Sequence, residues 1–313
     1  MTIANRTPRP AVVRFRLLGP VEAEADGIVR PLGAPRLRAM LVALLRATGN
    51  PVPRGELIDW IWEDPPDSAN EELNSLASRL RKVLEPLGFR DRLDGRHGEY
   101  RLDIPPEYVD VHQFTVLVDR SRQAEDDETE RSYLAAAIQL HRGIPLSGLR
   151  GTRVDGYRVW LQAEHRAALI RLSHLEVLHG RALTWVPKLT QMFDESPDDA
   201  LLTETYMSAL FRTGRSFDAL QVYQRYATCM REGLGLDPHE ALTALADRIR
   251  RESADLGNGS RSATEDPDPA EPRSGPVDSG VPESGDAPAP SVVNHVGTIS
   301  ADNVVLGVQY RSH

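Results

Sequence analysis

Cysteine is all but absent from this chain. Cys229 is the only one in 313 residues, so no intrachain disulfide can form and a reducing cytoplasm is the expected setting. In its helical surroundings that thiol reads as a small core residue. Lysine is nearly missing too: of 37 basic residues only Lys82 and Lys188 are lysines. No eighteen apolar residues run together, and the first twenty residues hold no apolar core fit for a secretory signal, so neither a membrane span nor export is expected. The usual signatures of catalysis are missing as well. There is no G-x-x-x-x-G-K-S/T phosphate cradle, no G-x-S-x-G elbow, no H-E-x-x-H pair and no Cys/His cluster, and the nine histidines are scattered singly. No enzymatic activity, cofactor or metal is expected.

A net charge of −9 argues against nucleic acid until it is divided along the chain. Residues 1–104 carry 16 basic and 15 acidic groups, residues 105–254 carry 18 and 22, and residues 255–313 carry 3 and 9. The acidity belongs to the back of the chain. For the near-neutral front, what matters is whether its cations share one face.

The front zone mixes short alternating runs with helical ones. Segments 12–18, 21–25 and 28–32 read as strands, joined at Gly19-Pro20 and at Asp26-Gly27. After Pro35 a helix places Leu37, Met40, Leu41, Leu44 and Leu45 on one face, and a second helix follows Pro53-Arg54 through Leu57, Ile58 and Ile61. A turn of Glu63, Asp64, Pro65, Pro66 and Asp67 leads to Ser68, an N-cap with Glu71 placed to complete a capping box. In the helix that follows, Leu73, Leu76, Ala77, Leu80 and Leu84 form the stripe to be buried, and Asn74, Ser75, Ser78, Arg79, Arg81 and Lys82 the opposite face. Small polar groups flanked by cations suit a major groove: the first can meet base edges and the second can neutralise phosphates. The next segment, RDRLDGRHGEYRLDI, reads as a basic hairpin, two short strands around Asp94-Gly95 and Gly98, carrying Arg92, Arg96, His97 and Arg101. Strands, three helices and a basic hairpin in that order make a winged helix-turn-helix. His97, alone in a polar turn, is equally compatible with solvated surface.

Residues 105–253 read as helix after helix, with segments at about 110–122, 128–141, 155–181 and 238–253. Within 199–232 two helices break at Thr213-Gly214-Arg215, with Leu202, Tyr206, Ala209 and Leu210 set to face Phe217, Leu220 and Tyr223 around the small Ala219. This is the logic of a TPR pair, in which neighbours must stack to bury their faces. The fold class expected is therefore an α+β winged helix-turn-helix (12–104), then an all-α TPR-like domain (105–253), then a disordered C-terminal tail. Residues 1–11 are expected to be disordered, and 254–291, rich in Pro, Gly, Ser and acids, to form a disordered linker.

The runs FRLLGPVEAEADG, PVPRGELIDWIWEDPPDSA, LNSLASRLRKVLEP and DGRHGEYRLDI resemble an OmpR-type winged helix, and more closely that of the Streptomyces antibiotic regulatory protein family. The segments VDVHQFTVLVDRS, LAAAIQLHRGIPLSGL and LFRTGRSFDALQVYQRYATCMREGLGLDPHEALTALADRI resemble that family's bacterial transcriptional activation domain. The resemblance implies an activator that binds direct repeats in double-stranded DNA upstream of promoters, dimerises there, and recruits RNA polymerase. By position, Asn74, Ser75, Ser78 and Arg79 would read base edges, while Arg81, Lys82, Arg96 and Arg101 would mainly hold phosphates. The turn from Glu63 to Ser68 occupies the loop that faces the sigma factor or polymerase in this family, or else is simply a stiff interhelical turn. The family's larger regulators add a nucleotide-binding ATPase module, whose phosphate cradle this sequence lacks. One departure stands out: Glu71 and Glu72 sit where family recognition helices are usually neutral. A capping box would consume Glu71 and leave Glu72 to repel phosphate if it faced the groove.

The last segment, 292–313, is β-prone. Asn294, Gly297, Asn303, Val304, Val305, Gly307 and Gln309 resemble elements of short bacterial amyloid-signalling motifs, although Leu306 stands where a glutamine is usual. Such a segment can stack in register with a protein bearing the same motif, pair with a partner's sheet edge, or be a sticky end without a role. It leaves open an alternative function, a signalling adaptor acting through the helical domain and this tail.

Overall fold

The computed structural model describes the backbone of residues 13–259 and side chains as far as residue 254. Residues 1–11, most of the expected linker, and the tail residues Asn294, Gly297, Asn303, Val304, Val305, Gly307 and Gln309 lie outside the described residues.

Three antiparallel strands open the chain: β1 (Val13–Arg16), β2 (Glu22–Ala25) and β3 (Ile28–Arg30). Alternation decides their faces. Val13, Phe15, Ala23 and Ala25 point into the core, while Arg14 and Arg16 stand opposite Glu24 and Glu22 on the outer side. Asp26 and Gly27 form the two-residue loop between β2 and β3, both at positive φ (53° and 80°), as a type I′ turn requires. The expected strand 12–18 stops at Arg16 for a physical reason: the amides of Leu17 and Leu18 leave the ladder and bond to Asp110.

Helices α1 (Pro35–Arg46), α2 (Arg54–Ile61) and α3 (Ala69–Leu84) follow, with Pro35 at the start of α1, where its missing N–H costs nothing. All five apolar positions expected on α1 are buried, as are Leu73, Leu76, Ala77, Leu80 and Leu84 of α3. Each such leucine contributes about 1.5–3 kcal/mol by leaving water. The hairpin consists of β5 (Leu93–Arg96) and β6 (Glu99–Leu102), and β6 also pairs with the short β4 (Val52–Pro53) just ahead of α2.

Beyond residue 105 lie α4 (Asp110–Arg122), α5 (Asp127–Gln139), α6 (Thr152–Leu178), α7 (Ala182–Glu195), α8 (Ala200–Arg212), α9 (Ser216–Thr228), a π-helical turn (Cys229–Leu234) and α10 (Glu240–Gly259), which runs past residue 253. Helix α7 falls where no helix was expected. Pro187 sits inside it and breaks the pattern a reader looks for, yet Ala182, Val186, Leu189, Met192 and Phe193 pack into the core and carry the helix through the break. The TPR-like pair α8–α9 meets through Leu202, Tyr206, Ala209, Leu210, Ala219 and Tyr223. Phe217 does not join them. It lies at the second position of α9 and is 72% exposed.

The hydrophobic interior ignores the change in composition at residue 105. One cluster runs from β1 through α1–α3 and the hairpin into α4, α5 and α6; a second gathers Ile170 and Val177 of α6 with α7–α10. Polar groups close the joint between front and back. Leu17 N–H donates to both Asp110 carboxylate oxygens (2.8 and 2.9 Å) and Leu18 N–H to one (3.0 Å), while the amides of Arg142 and Leu146 donate to the carbonyls of Leu18 (2.7 Å) and Leu17 (3.0 Å). Trp60 of α2 meets Tyr157 of α6 edge-on at 5.8 Å, and Arg153 pairs with Asp59 at 3.1 Å. The helix-turn-helix is thus held against the helical region by hydrogen bonds and an aromatic contact.

Candidate nucleic-acid interface

Helix α3 buries one stripe and leaves the other in solvent. Asn74, Ser75, Ser78, Arg79 and Lys82 are exposed, whereas Arg81 is half-buried and donates from Nε to the Leu93 carbonyl of β5 (3.2 Å). Arg81 therefore fastens the hairpin to the helix. Arg79 and Lys82 have no carboxylate partner among the described residues. An open cleft of about 470 Å³, lined by Pro35, Arg36, Glu72, Ser75, Leu76 and Arg79, separates this face from the start of α1.

The two acidic residues exchange the parts expected of them. Ser68 flanks the helix at φ −82° and ψ 10°, outside the extended region that a capping hydroxyl needs, and makes no side-chain cap. Its hydroxyl donates to Glu72 (3.1 Å), which also pairs with Arg36 (3.4 Å). Glu72 is thus drawn toward α1 and the turn. Glu71 is the exposed acid without a partner among the described residues, on the same stripe as Ser75, Ser78 and Lys82.

The hairpin turns at His97-Gly98, both with positive φ (53° and 82°), so His97 stands exposed at its tip and Asp94-Gly95 lies within the strand. Arg96 is 76% exposed and pairs with Asp94 (3.1 Å) on its own strand; Arg101 is exposed with no carboxylate partner among the described residues. Gly95 lies opposite Tyr100, and a Cβ there would meet the Tyr100 ring at 2.7 Å. The ring needs that space to lie across the strand and send its hydroxyl to Asn74 of α3.

Arg54, at the first position of α2, completes the attachment. Its Nη2 donates to Asn74 Oδ1 (2.7 Å) and approaches the Tyr100 hydroxyl (3.4 Å), its Nη1 reaches the Asn70 carbonyl (3.4 Å), and the guanidinium lies 5.3 Å from the Tyr100 ring centre. The Tyr100 hydroxyl donates to the same Asn74 oxygen (2.9 Å). Sequence reading missed Arg54 and Arg36. The pairing of an aromatic with a glycine across β5 and β6 was a usable signal for Tyr100; nothing local marks Arg54, which meets partners 20 and 46 residues away.

The loop before α3 keeps Glu63, Asp64, Pro65, Asp67 and Ser68 exposed and Pro66 half-buried. Buried Trp62 anchors its start, with the Arg36 guanidinium 5.5 Å from the indole ring centre. No group of histidine, cysteine and acidic residues able to hold a metal ion occurs among the described residues, and no helix there is long and apolar enough to cross a membrane.

Residues 32–94 match the C-terminal domain of transcriptional regulatory proteins, and residues 109–250 match the bacterial transcriptional activator domain. The chain is 32% identical over 255 residues to the regulatory protein AfsR of Streptomyces coelicolor, covering 81% of this chain and 26% of AfsR. It is 32% identical over 246 residues to the transcriptional regulatory protein EmbR of Mycobacterium tuberculosis, covering 76% of this chain and 63% of EmbR. It thus spans about a quarter of the first relative and under two thirds of the second. The structure of Mycobacterium tuberculosis EmbR in complex with a low affinity phosphopeptide superposes with a TM-score of 0.71 at 30% identity, over 81% of this chain and 70% of that one. With both domains in the same order and the fold shared with EmbR, this chain belongs to the Streptomyces antibiotic regulatory protein family of transcriptional regulators.

Proposed function

We propose that this chain is a cytoplasmic, sequence-specific transcriptional activator. It binds repeats in duplex DNA upstream of promoters as a homodimer and recruits RNA polymerase through contacts with the sigma factor. The observation that carries the reading is the exposed face of α3, where Asn74, Ser75 and Ser78 lie beside the unpaired cations Arg79 and Lys82. Small polar groups admit the helix to a major groove, and flanking cations release counterions from phosphates. Arg96, His97 and Arg101 extend the same interface onto the hairpin, where they would meet the adjoining backbone. Arg81, tied to Leu93, contributes by holding the hairpin in place. The acidic, proline-stiffened loop from Glu63 to Ser68 projects beside the reading helix with its carboxylates free for a basic protein surface.

A mobility shift with DNA from upstream of its own and neighbouring genes, repeated across salt concentrations, tests this. Tight binding that weakens steeply with salt is expected, and Arg79→Ala with Lys82→Ala should abolish the shift while leaving the helical content unchanged. A chain that works only through protein contacts gives no salt-dependent shift, and that result refutes the proposal.

A further inference from the structure

The contacts around Asn74 restrict what its side chain can offer a ligand. A guanidinium only donates, so the Asn74 atom that meets Arg54 Nη2 at 2.7 Å is the carbonyl oxygen. The Tyr100 hydroxyl gives its single proton to the same oxygen at 2.9 Å and has its own lone pairs facing the guanidinium at 3.4 Å. An amide oxygen has two lone pairs, and both are now engaged. The amide nitrogen keeps two protons, has no partner among the described residues, and belongs to an exposed residue.

We infer that Asn74 is a donor-only reading group, fixed in that state by Arg54 and Tyr100 as positioning residues, and that it selects a base presenting acceptors in the major groove. The inference rests on the DNA-binding reading above. Guanine presents two acceptors (O6 and N7) and thymine one (O4), whereas adenine sets its single acceptor, N7, beside an amino donor and cytosine presents a donor at the equivalent place. The usual asparagine–adenine pair is bidentate and needs the amide oxygen to accept from the adenine amino group. Here that oxygen is occupied, so the pair cannot form without breaking the bonds to Arg54 and Tyr100. Neither positioning residue needs to touch the base itself. Both act by holding the amide plane.

Selection of the full chain on a randomised duplex library, followed by anisotropy titrations on the selected duplex and its single-base variants, tests this. The wild type should select guanine or thymine at one position in each repeat, with adenine there binding about tenfold more weakly. Asn74→Ala should erase the preference at that position alone. Tyr100→Phe keeps the ring over Gly95 and frees one lone pair of the amide oxygen; combined with Arg54→Leu it frees both, and the tenfold penalty for adenine should shrink toward unity. Circular dichroism identifies variants that retain the fold, and Tyr100→Phe alone, with a partial gain for adenine, serves if the double variant does not. Selection of adenine by the wild type at the position lost in Asn74→Ala overturns the inference. So does an Asn74→Ala variant that weakens binding equally for all sequences, since that marks a phosphate contact. Absence of any enriched sequence or salt-dependent binding refutes the DNA-binding reading itself, a result distinct from both.

Discussion

Asp110 and Asn74 each draw donors from distant segments onto side-chain oxygen, yet one lies buried at the joint between the sheet and the helical region while the other stands exposed on α3. At Asp110 the surrounding amides and the carboxylate spend their hydrogen bonds on each other, which ties the end of β1 to the start of α4. At Asn74 the oxygen is spent and the nitrogen is left over. Polar groups satisfied within the chain hold the fold, and those left unsatisfied at the surface are what a partner can use.

The largest effect expected from breaking this comparison is at the buried end. Asp110→Ala leaves the Leu17 and Leu18 amides without their acceptor and should cost about 2–4 kcal/mol, measured by urea unfolding. The residual DNA affinity of the folded fraction should stay close to wild type if the proposed interface on α3 and the hairpin is the one that binds. Burial raises the Asp110 carboxyl from 3.8 to about 6, outweighing the amides of Leu18, Leu17 and Val111 and the nearby Arg142 charge, which pull the other way. Its linked contribution to stability is therefore fully present below about pH 4 and is lost as pH rises through 6.

Next in size is the hairpin. Gly95→Ala drives a Cβ to 2.7 Å from the Tyr100 ring, so the ring must move and release Asn74. A loss of about 1–3 kcal/mol is expected from the overpacking. It should come with lower DNA affinity, readable by comparing thermal unfolding with anisotropy on one sample. Normal affinity in a destabilised Gly95→Ala variant would show that the bonds of Asn74 to the hairpin do not matter for binding.

A smaller effect involves His141, which stacks on His165 at 3.8 Å and meets Phe114 edge-on, with both ring nitrogens buried and unpartnered among the described residues. Burial, helped by His165, lowers His141 from 6.5 to about 3. Stability is therefore lost as pH falls below 6.5, where only the unfolded chain takes the proton, a trend opposite in sign to that of Asp110. His141→Phe should gain about 1 kcal/mol at neutral pH by removing an orphaned polar ring, and should move the acid-unfolding midpoint lower. An unchanged acid midpoint would remove His141 from this account.

The smallest change in stability belongs to the loop. Replacing Glu63, Asp64 and Asp67 by alanine should shift stability by no more than about 0.5 kcal/mol, since all three are exposed. DNA binding should persist while transcription in a purified polymerase assay falls. Retained activation would leave the loop as no more than a stiff turn.

How much of this was legible depends on how local each cause is. The Asp26-Gly27 turn and the leucine stripe of α3 are written in neighbouring residues, and the structure places each where its pattern indicates; the basic hairpin is there too, but Asp94-Gly95 pairs within β5 and the turn falls at His97-Gly98. Helix α7 was hidden because Pro187 imitates a breaker whose cost tertiary packing offsets. Glu71 and Glu72 were exchanged because a capping box is a local rule, whereas the pull on Glu72 comes partly from Arg36, 36 residues away. Phe217 is apolar and in register, yet its place on the first turn of α9 leaves it in solvent. Most of the exposed face of α3 could be read directly. The atoms that orient it could not, because Arg54 and Tyr100 reach Asn74 only after the chain has folded.

Guanine-N7 methylation interference on a footprinted upstream duplex tests the central claim most directly, since that atom lies in the major groove. Insertion of α3 predicts loss of binding when guanines are methylated in successive major-groove segments on one face of the duplex. Binding that tolerates methylation at every guanine within the footprint would contradict it.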